Sequence, residues 1–316
     1  MAITEEKVAQ LLNKMEGLTV ALATPLDIEG NLDIGSLNKL MESVIDGGAS
    51  CLFPLGWAGE QPLLPRHVLE DMLTETIGIN DGRLPVMVGV SEQSLPKALE
   101  LAQMACEKGA DLILATPPYS YPISQDLIFQ YFRDLAAESS LPLVVYQNDE
   151  VGVRIDLETM VRLSDTPGIV AVKATLPFPE LQRYFHHAHR AGRFAVISGD
   201  EYLYGAALSL GIRHFTMGGP GNFSPRWCTS IFESAMAGDL DSVRRKQKRL
   251  TDFCDAVYLT TGEPYAAVKY VIGKLGLCSP YITPPLRMLS EEQKKPVDAA
   301  IVEFKEILSA QAQSWK

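Results

Sequence analysis

Eight short apolar runs, each followed by a helix-patterned segment, constrain this chain more than any other feature. They cover residues 18–23, 51–55, 85–90, 112–115, 142–146, 169–173, 194–197 and 214–217. The runs are rich in Val, Ile and Leu and do not alternate with polar residues, the pattern of parallel strands buried on both faces. Helical periodicity fills the intervals at 34–45, 66–79, 95–108, 125–138, 157–163, 179–191, 201–210 and 225–237. Several of these segments end in glycine just before the next strand (Gly47-Gly48, Gly109, Gly192, Gly211), where a helix end calls for left-handed backbone. Eight strand-then-helix repeats of about 25 residues predict an α/β fold of the (β/α)8, or TIM-barrel, class. An open doubly wound sheet would need a glycine-rich phosphate loop after the first strand. The chain has Ala23-Thr24-Pro25-Leu26-Asp27 there instead.

The alternation stops near residue 240, and 242–259, 264–275 and 291–310 read as helices with no strand between them. The expected organisation is therefore a barrel over 1–237, opening on a short N-terminal helix, and a C-terminal helical region over 238–316 packed on it. With 316 residues and 47% apolar content the chain is large enough to fill such a barrel. A net charge of −11 argues against nucleic-acid and membrane-surface partners, because an acidic surface repels both. Five scattered cysteines without a CxxC pair point to reduced thiols in the cytoplasm and to neither disulfides nor a zinc site. No apolar run reaches membrane-spanning length, and the charged first 17 residues read as an amphipathic helix, not a signal peptide.

On a barrel of this kind the chemistry belongs to the C-terminal ends of the strands and the loops beyond them. Lys173 ends the sixth apolar run. Taken alone it could be a surface lysine capping a strand. At the lip of an apolar core, burial disfavours its ammonium, and a neutral amine there is the nucleophile of a Schiff base. Tyr146 ends the fifth run, one strand–helix repeat earlier, and a phenol beside such an amine can shuttle the protons of imine chemistry. The alternative for Tyr146 is a rim aromatic bonded to backbone; its pairing with Lys173 favours catalysis. Gly56-Trp57-Ala58-Gly59-Glu60 follows the second run, and its backbone N–H groups could cradle a carboxylate, or it is a tight turn. Gly218-Gly219-Pro220-Gly221 after the eighth run leaves an open mouth or forms a turn. His186, His187 and His189 share one helical segment, with no acidic or cysteine ligand to complete a metal set. They read as a solvated face, as does the basic run at 244–249. His67 and His214 read as structural.

These residues resemble the dihydrodipicolinate synthase and N-acetylneuraminate lyase family. The similarity runs from Leu18-Thr19-Val20-Ala21-Leu22-Ala23-Thr24-Pro25 to the C-terminal helices. The resemblance implies that Lys173 forms a covalent imine with pyruvate or a longer 2-oxo acid, that Tyr146 relays protons, and that no other cofactor and no metal is needed. It implies that the 56–60 loop holds the substrate carboxylate. Tyr119, the third candidate catalytic residue with Lys173 and Tyr146, matches the second tyrosine of the family's Pro-Tyr-Tyr stretch, which often reaches toward a neighbouring subunit's site. Ser198-Gly199-Asp200 matches the segment after strand seven, and Glu263-Pro264 with Val268-Lys269 matches a C-terminal helix start. Gly56, Trp57, Ala58, Gly59, Glu60, Thr175, Gly199 and Gly218 complete the candidate substrate-binding set. The family is one of homo-oligomers, dimers or tetramers.

The departures bear on substrate. The family's Thr-Thr or Ser-Thr is Trp57-Ala58 here, so both loop hydroxyls are gone. The family's Tyr-Asn-x-Pro is Tyr146-Gln147-Asn148-Asp149. The arginine that dihydrodipicolinate synthases place five residues past the tyrosine is Val151, and the nearest arginine is Arg154. These changes argue against true dihydrodipicolinate synthase activity. The expectation is a Schiff-base aldolase or dehydratase acting on pyruvate or a 2-oxo-3-deoxy acid. A ligand-binding or structural oligomer, its pocket blocked by Trp57, is the competing reading.

Overall fold

The computed structural model describes residues 4–148 and 153–309. Its eight parallel strands alternate with helices as a (β/α)8 barrel with a C-terminal helical extension. The order is α1 (Glu5–Lys14), β1 (Gly17–Ala21), α2 (Ile34–Asp46), β2 (Cys51–Phe53), α3 (Arg66–Asn80), β3 (Met87–Gly89), α4 (Leu95–Lys108), β4 (Leu112–Ala115), α5 (Gln125–Glu138) and β5 (Leu143–Asn148). It continues through α6 (Leu157–Ser164), β6 (Ile169–Thr175), α7 (Phe178–Ala188), β7 (Ala195–Ser198), α8 (Tyr204–Leu210), β8 (His214–Met217), α9 (Pro220–Phe223) and α10 (Pro225–Met236). The C-terminal helices are α11 (Leu240–Tyr258), α12 (Pro264–Lys274), α13 (Glu291–Glu303) and α14 (Lys305–Ser309).

Two compact units divide the chain, one of Met1–Glu16 with Gly82–Thr216, the other of Gly17–Asp81 with Met217–Lys316. In the first, β3 to β8 lie side by side in chain order, each parallel to the next. The strands are buried along their lengths, as their uninterrupted apolar runs require. Side chains cap the intervening helices: Ser124 accepts from the Leu127 N–H at 3.3 Å and Asp156 from the Thr159 N–H at 2.7 Å. Gly109 and Gly211 end α4 and α8 in the left-handed conformation. The N-terminal segment forms α1 as read from sequence, and the His214 ring bonds the Leu12 carbonyl at 2.9 Å. His214 is structural.

In the second unit β1 and β2 pair in parallel, Thr19 opposite Cys51. Asn222 of α9 binds the backbone at the end of β1. Its Oδ1 accepts from the Ala23 N–H at 2.9 Å, and its Nδ2 donates to the Ala21 carbonyl at 2.7 Å and to the Gly218 carbonyl. The basic run 244–249 lies on α11, where Lys248 pairs with Asp252 and Arg249 with Glu306, so it is a solvated, ion-paired face. His186 and His187 are exposed on α7. His189 lies past the helix end, stacked on Phe185 at 4.8 Å. Among the described residues no three His, Cys, Asp or Glu side chains are grouped to hold a metal. No helix among the described residues is long and apolar enough to cross a membrane.

Two strands outrun their apolar runs. β5 continues past Tyr146 to Asn148, and β6 past Lys173 to Thr175. Polar residues end a hydrophobic run but not a ladder whose neighbour also continues. The pairing between β5 and β6 is irregular near its start. Leu143 pairs with Ile169 and Val144 with Ala171, which leaves Val170 over as a bulge. From there the rungs run Val145 with Val172, Tyr146 with Lys173, Gln147 with Ala174 and Asn148 with Thr175.

Candidate active site

The extra residue at Val170 decides which side chains meet. Without it Tyr146 would pair with Val172, and Lys173 would share a rung with Gln147. Successive side chains of a strand point to opposite faces, so a slip of one residue exchanges the faces. With the bulge in place, Tyr146 and Lys173 occupy one rung and one face, and Asn148 and Thr175 follow on the next rung of that face.

The Lys173 side chain is buried, with 6% of the residue's surface exposed. Its Nζ lies 3.5 Å from the centroid of the Tyr146 ring, and Tyr146 is itself 4% exposed. Among the described residues no carboxylate reaches ion-pair distance of that nitrogen. Burial pushes the Lys173 ammonium down from 10.5 to about 7, against the Glu201 carboxylate, which favours the charged form. A large fraction of the amine is then neutral at neutral pH and able to attack a carbonyl.

The surroundings leave room for that nitrogen. Gly199 follows β7, held by its N–H to the Ala174 carbonyl at 2.9 Å. A Cβ on Gly199 would stand 2.5 Å from the Thr175 hydroxyl and 3.4 Å from the Lys173 Nζ. The Thr175 hydroxyl donates to the Gly199 carbonyl at 3.3 Å. Tyr146, Lys173, Thr175 and Gly199 thus form one cluster. Asn148 joins it, donating from Nδ2 to the Tyr146 hydroxyl oxygen at 3.1 Å. Gln147, on the opposite face, accepts the Ile155 N–H at 2.8 Å. Tyr119 stands in the loop after β4, 36% exposed, its N–H donating to the Gln93 side chain at 3.0 Å. Arg154 pairs with Glu180 at 3.5 Å. Asp149 and Val151 lie outside the described residues.

The 56–60 loop belongs to the second unit, and its backbone is largely turned on itself. The N–H groups of Gly59 and Gln61 donate to the Gly56 carbonyl, and that of Glu60 to the Trp57 carbonyl. This alters the expectation of a nest: those three donors close the loop and are not presented to a ligand. Glu60, buried and left-handed at φ 62°, pairs through Oε1 with Lys269 at 3.0 Å and through Oε2 accepts the Thr283 N–H at 2.7 Å. Lys269, 2% exposed, also donates to the Tyr281 carbonyl at 3.1 Å and to the Thr24 carbonyl. Glu60 therefore serves the frame of the loop. Trp57 and Ala58 are the loop residues that keep partial exposure. A Cβ at Gly218 would stand 2.8 Å from the Ala58 Cβ, so glycine there admits the loop's close approach.

Sequence reasoning passed over Asn148 and Glu201 as functional residues. Asn148 was legible as the second residue after Tyr146 on one strand face, had β5 been carried past the tyrosine. Glu201 had no such signal, since it opens a helical pattern that its spacing alone assigns to the surface.

A barrel strand carrying a buried lysine against a phenol is an arrangement that suits Schiff-base chemistry. The dihydrodipicolinate synthetase family model matches residues 14–304. A 4-hydroxy-tetrahydrodipicolinate synthase of Leptothrix cholodnii is 30% identical over 92% of this chain and 99% of its own length. Among solved structures, dihydrodipicolinate synthase of Bacteroides thetaiotaomicron superposes with a TM-score of 0.86 at 27% identity, covering 92% of this chain and 98% of the other. The pyruvate complex of the chloride-inhibited dihydrodipicolinate synthase of Acinetobacter baumannii gives 0.86 at 26% identity, covering 92% of this chain and 99% of the other. The chain belongs to the dihydrodipicolinate synthetase family. Its members are lyases of the class I aldolase type that use a lysine Schiff base with pyruvate and no metal or other cofactor.

Proposed function

We propose that this chain is a lyase whose Lys173 condenses with the ketone of pyruvate or of a 2-oxo-3-deoxy acid. The observation that carries this reading is the buried amine over the Tyr146 ring. The amine adds to C2, giving a carbinolamine. Tyr146 donates its proton to the departing hydroxyl, which leaves as water, and the imine forms. The resulting phenolate then takes a proton from C3 as the enamine forms. With a hydroxyl on C4, the same imine leads instead to retro-aldol cleavage and release of pyruvate. Loss of a C4 hydroxyl from the enamine would be dehydration. The departures at Trp57, Ala58 and Val151 support a substrate other than that of the dihydrodipicolinate synthases. The family resemblance supports a homo-oligomer, and the five thiols, four of them buried, suit the cytoplasm.

Borohydride reduction in the presence of pyruvate tests the reading. The expected result is a covalent adduct on Lys173, absent in Lys173→Ala. A panel of 2-oxo-3-deoxy sugar acids, 4-hydroxy-2-oxoglutarate and N-acetylneuraminate then names the substrate, with Tyr146→Phe slowing turnover by roughly 10²–10⁴-fold. No adduct with any 2-oxo acid would favour the ligand-binding alternative that Trp57 raises.

A further inference from the structure

The chemistry proposed for Tyr146 passes through a phenolate. Between giving its proton to the leaving hydroxyl and taking one from C3, the phenol oxygen carries a negative charge in a buried site. A buried anion without a donor is costly, and a hydrogen bond to it is stronger than one between neutral groups. In this family the loop after strand two carries hydroxyls; here those positions are Trp57 and Ala58. The structure gives the phenol oxygen a donor from its own strand. Asn148 Nδ2 stands 3.1 Å from the Tyr146 oxygen, and Asn148 is buried.

We propose that Asn148 is the positioning residue of Tyr146, holding the phenol oxygen through its amide N–H and stabilising the phenolate between the two proton transfers. This rests on the function proposed above. The geometry suits the role for three reasons. Residues two apart on a strand share a face, so the contact needs no other element and is set once β5 forms. The next rung on the same face pairs Asn148 with Thr175, two residues beyond the pairing of Tyr146 with Lys173. An amide donates but does not itself take up the travelling proton at neutral pH, so it can stabilise the charge without diverting the transfer.

The test uses pyruvate as probe and reads two events separately. Borohydride trapping reports the imine on Lys173. Exchange of the pyruvate methyl hydrogens in D2O, followed by NMR, reports proton transfer at C3. Asn148→Ala is expected to leave the trapped fraction at equilibrium unchanged and to slow exchange by about ten-fold, as for loss of a hydrogen bond to a charged group. Asn148→Ser, which keeps a donor, should recover part of that rate. Asn148→Asp, which at neutral pH cannot donate and adds like charge, should be slower than Asn148→Ala. In a Tyr146→Phe background, Asn148→Ala should cost nothing further, because the two residues act through one oxygen. A wild-type exchange rate in Asn148→Ala, or the same fold loss with and without Tyr146, would overturn the proposal.

If the wild-type protein forms no pyruvate adduct, the functional reading fails on its own account. The Asn148 contact is then judged by tyrosinate absorbance. The difference between wild type and Tyr146→Phe isolates the Tyr146 ionisation, and its midpoint should move to higher pH in Asn148→Ala. An unmoved midpoint would overturn the proposal by that route.

Discussion

Lys173 and Tyr146 face each other across a single rung of the β5–β6 ladder, the amine nitrogen 3.5 Å from the centre of the phenol ring. The ring's electron-rich face favours a protonated nitrogen, while burial disfavours it. Burial wins, and the amine's proton affinity falls to about 7.

The rate of pyruvate adduct formation should therefore rise through an acid limb centred near pH 7, as the neutral fraction of Lys173 grows. Glu201 favours the charged form, so Glu201→Gln should move that limb to lower pH. Stopped borohydride trapping across pH 5.5–9 measures both. A limb near the ordinary lysine value would contradict the environment described for the nitrogen.

Stability should show the same group with the sign of a penalty. Lys173 has its proton affinity lowered on folding, so between about pH 7 and 10.5 the unfolded chain binds more protons than the native one. Stability then rises with pH across that window and is lowest, for this group, below it. Replacing Lys173 by Met should flatten this dependence and stabilise the protein at pH 7 by roughly 4 kcal/mol, taken from the size of the shift. Urea unfolding of both proteins at pH 7 and pH 9.5 checks it; a destabilised Lys173→Met at both would contradict the burial argument.

Gly199→Ala should damage the site while sparing the fold. The added methyl meets the Thr175 hydroxyl and crowds the Lys173 nitrogen. Adduct formation with pyruvate is expected to slow by about ten-fold or more, the cost of displacing a reacting group from its attack geometry. The melting temperature should change little by comparison. Equal trapping rates in the two proteins would remove Gly199 from the site.

The Glu60–Lys269 pair makes a prediction about stability alone. Both charges are buried and the ammonium holds two further carbonyls. Lys269→Met leaves the Glu60 carboxylate uncompensated and should cost about 3–5 kcal/mol. Adding Glu60→Gln should restore a large part of it, since the loss then is of a pair and not of one partner. Denaturant midpoints of the single and double variants measure the difference.

Much of this was legible in the sequence, and the reasons differ by residue. Strand positions were readable because both faces are buried, so the apolar runs mark them without needing periodicity. Lys173 stood out as the one charge closing such a run, and Tyr146 as its counterpart one repeat earlier. The ends of β5 and β6 were not legible, because Gln147, Asn148 and Thr175 are polar side chains kept in the ladder by mutual pairing. The fate of the 56–60 loop was hidden as well. A glycine-rich string supplies N–H donors on paper, but whether they face a ligand or the loop's own carbonyls depends on left-handed turns at Leu55 and Glu60. Nor does sequence reveal that Glu60 is tied to Lys269, whose partner lies far along the chain.

The leftover residue at Val170 has a consequence for how this protein can change. Because it sets the offset between the two strands, the stretch from Val170 to Val172 ahead of Lys173 is fixed in length, though its apolar side chains are not fixed in identity. Apolar side chains there can be exchanged for one another. Dropping or adding a single residue would turn the amine to the opposite face of the sheet, away from the Tyr146 phenol.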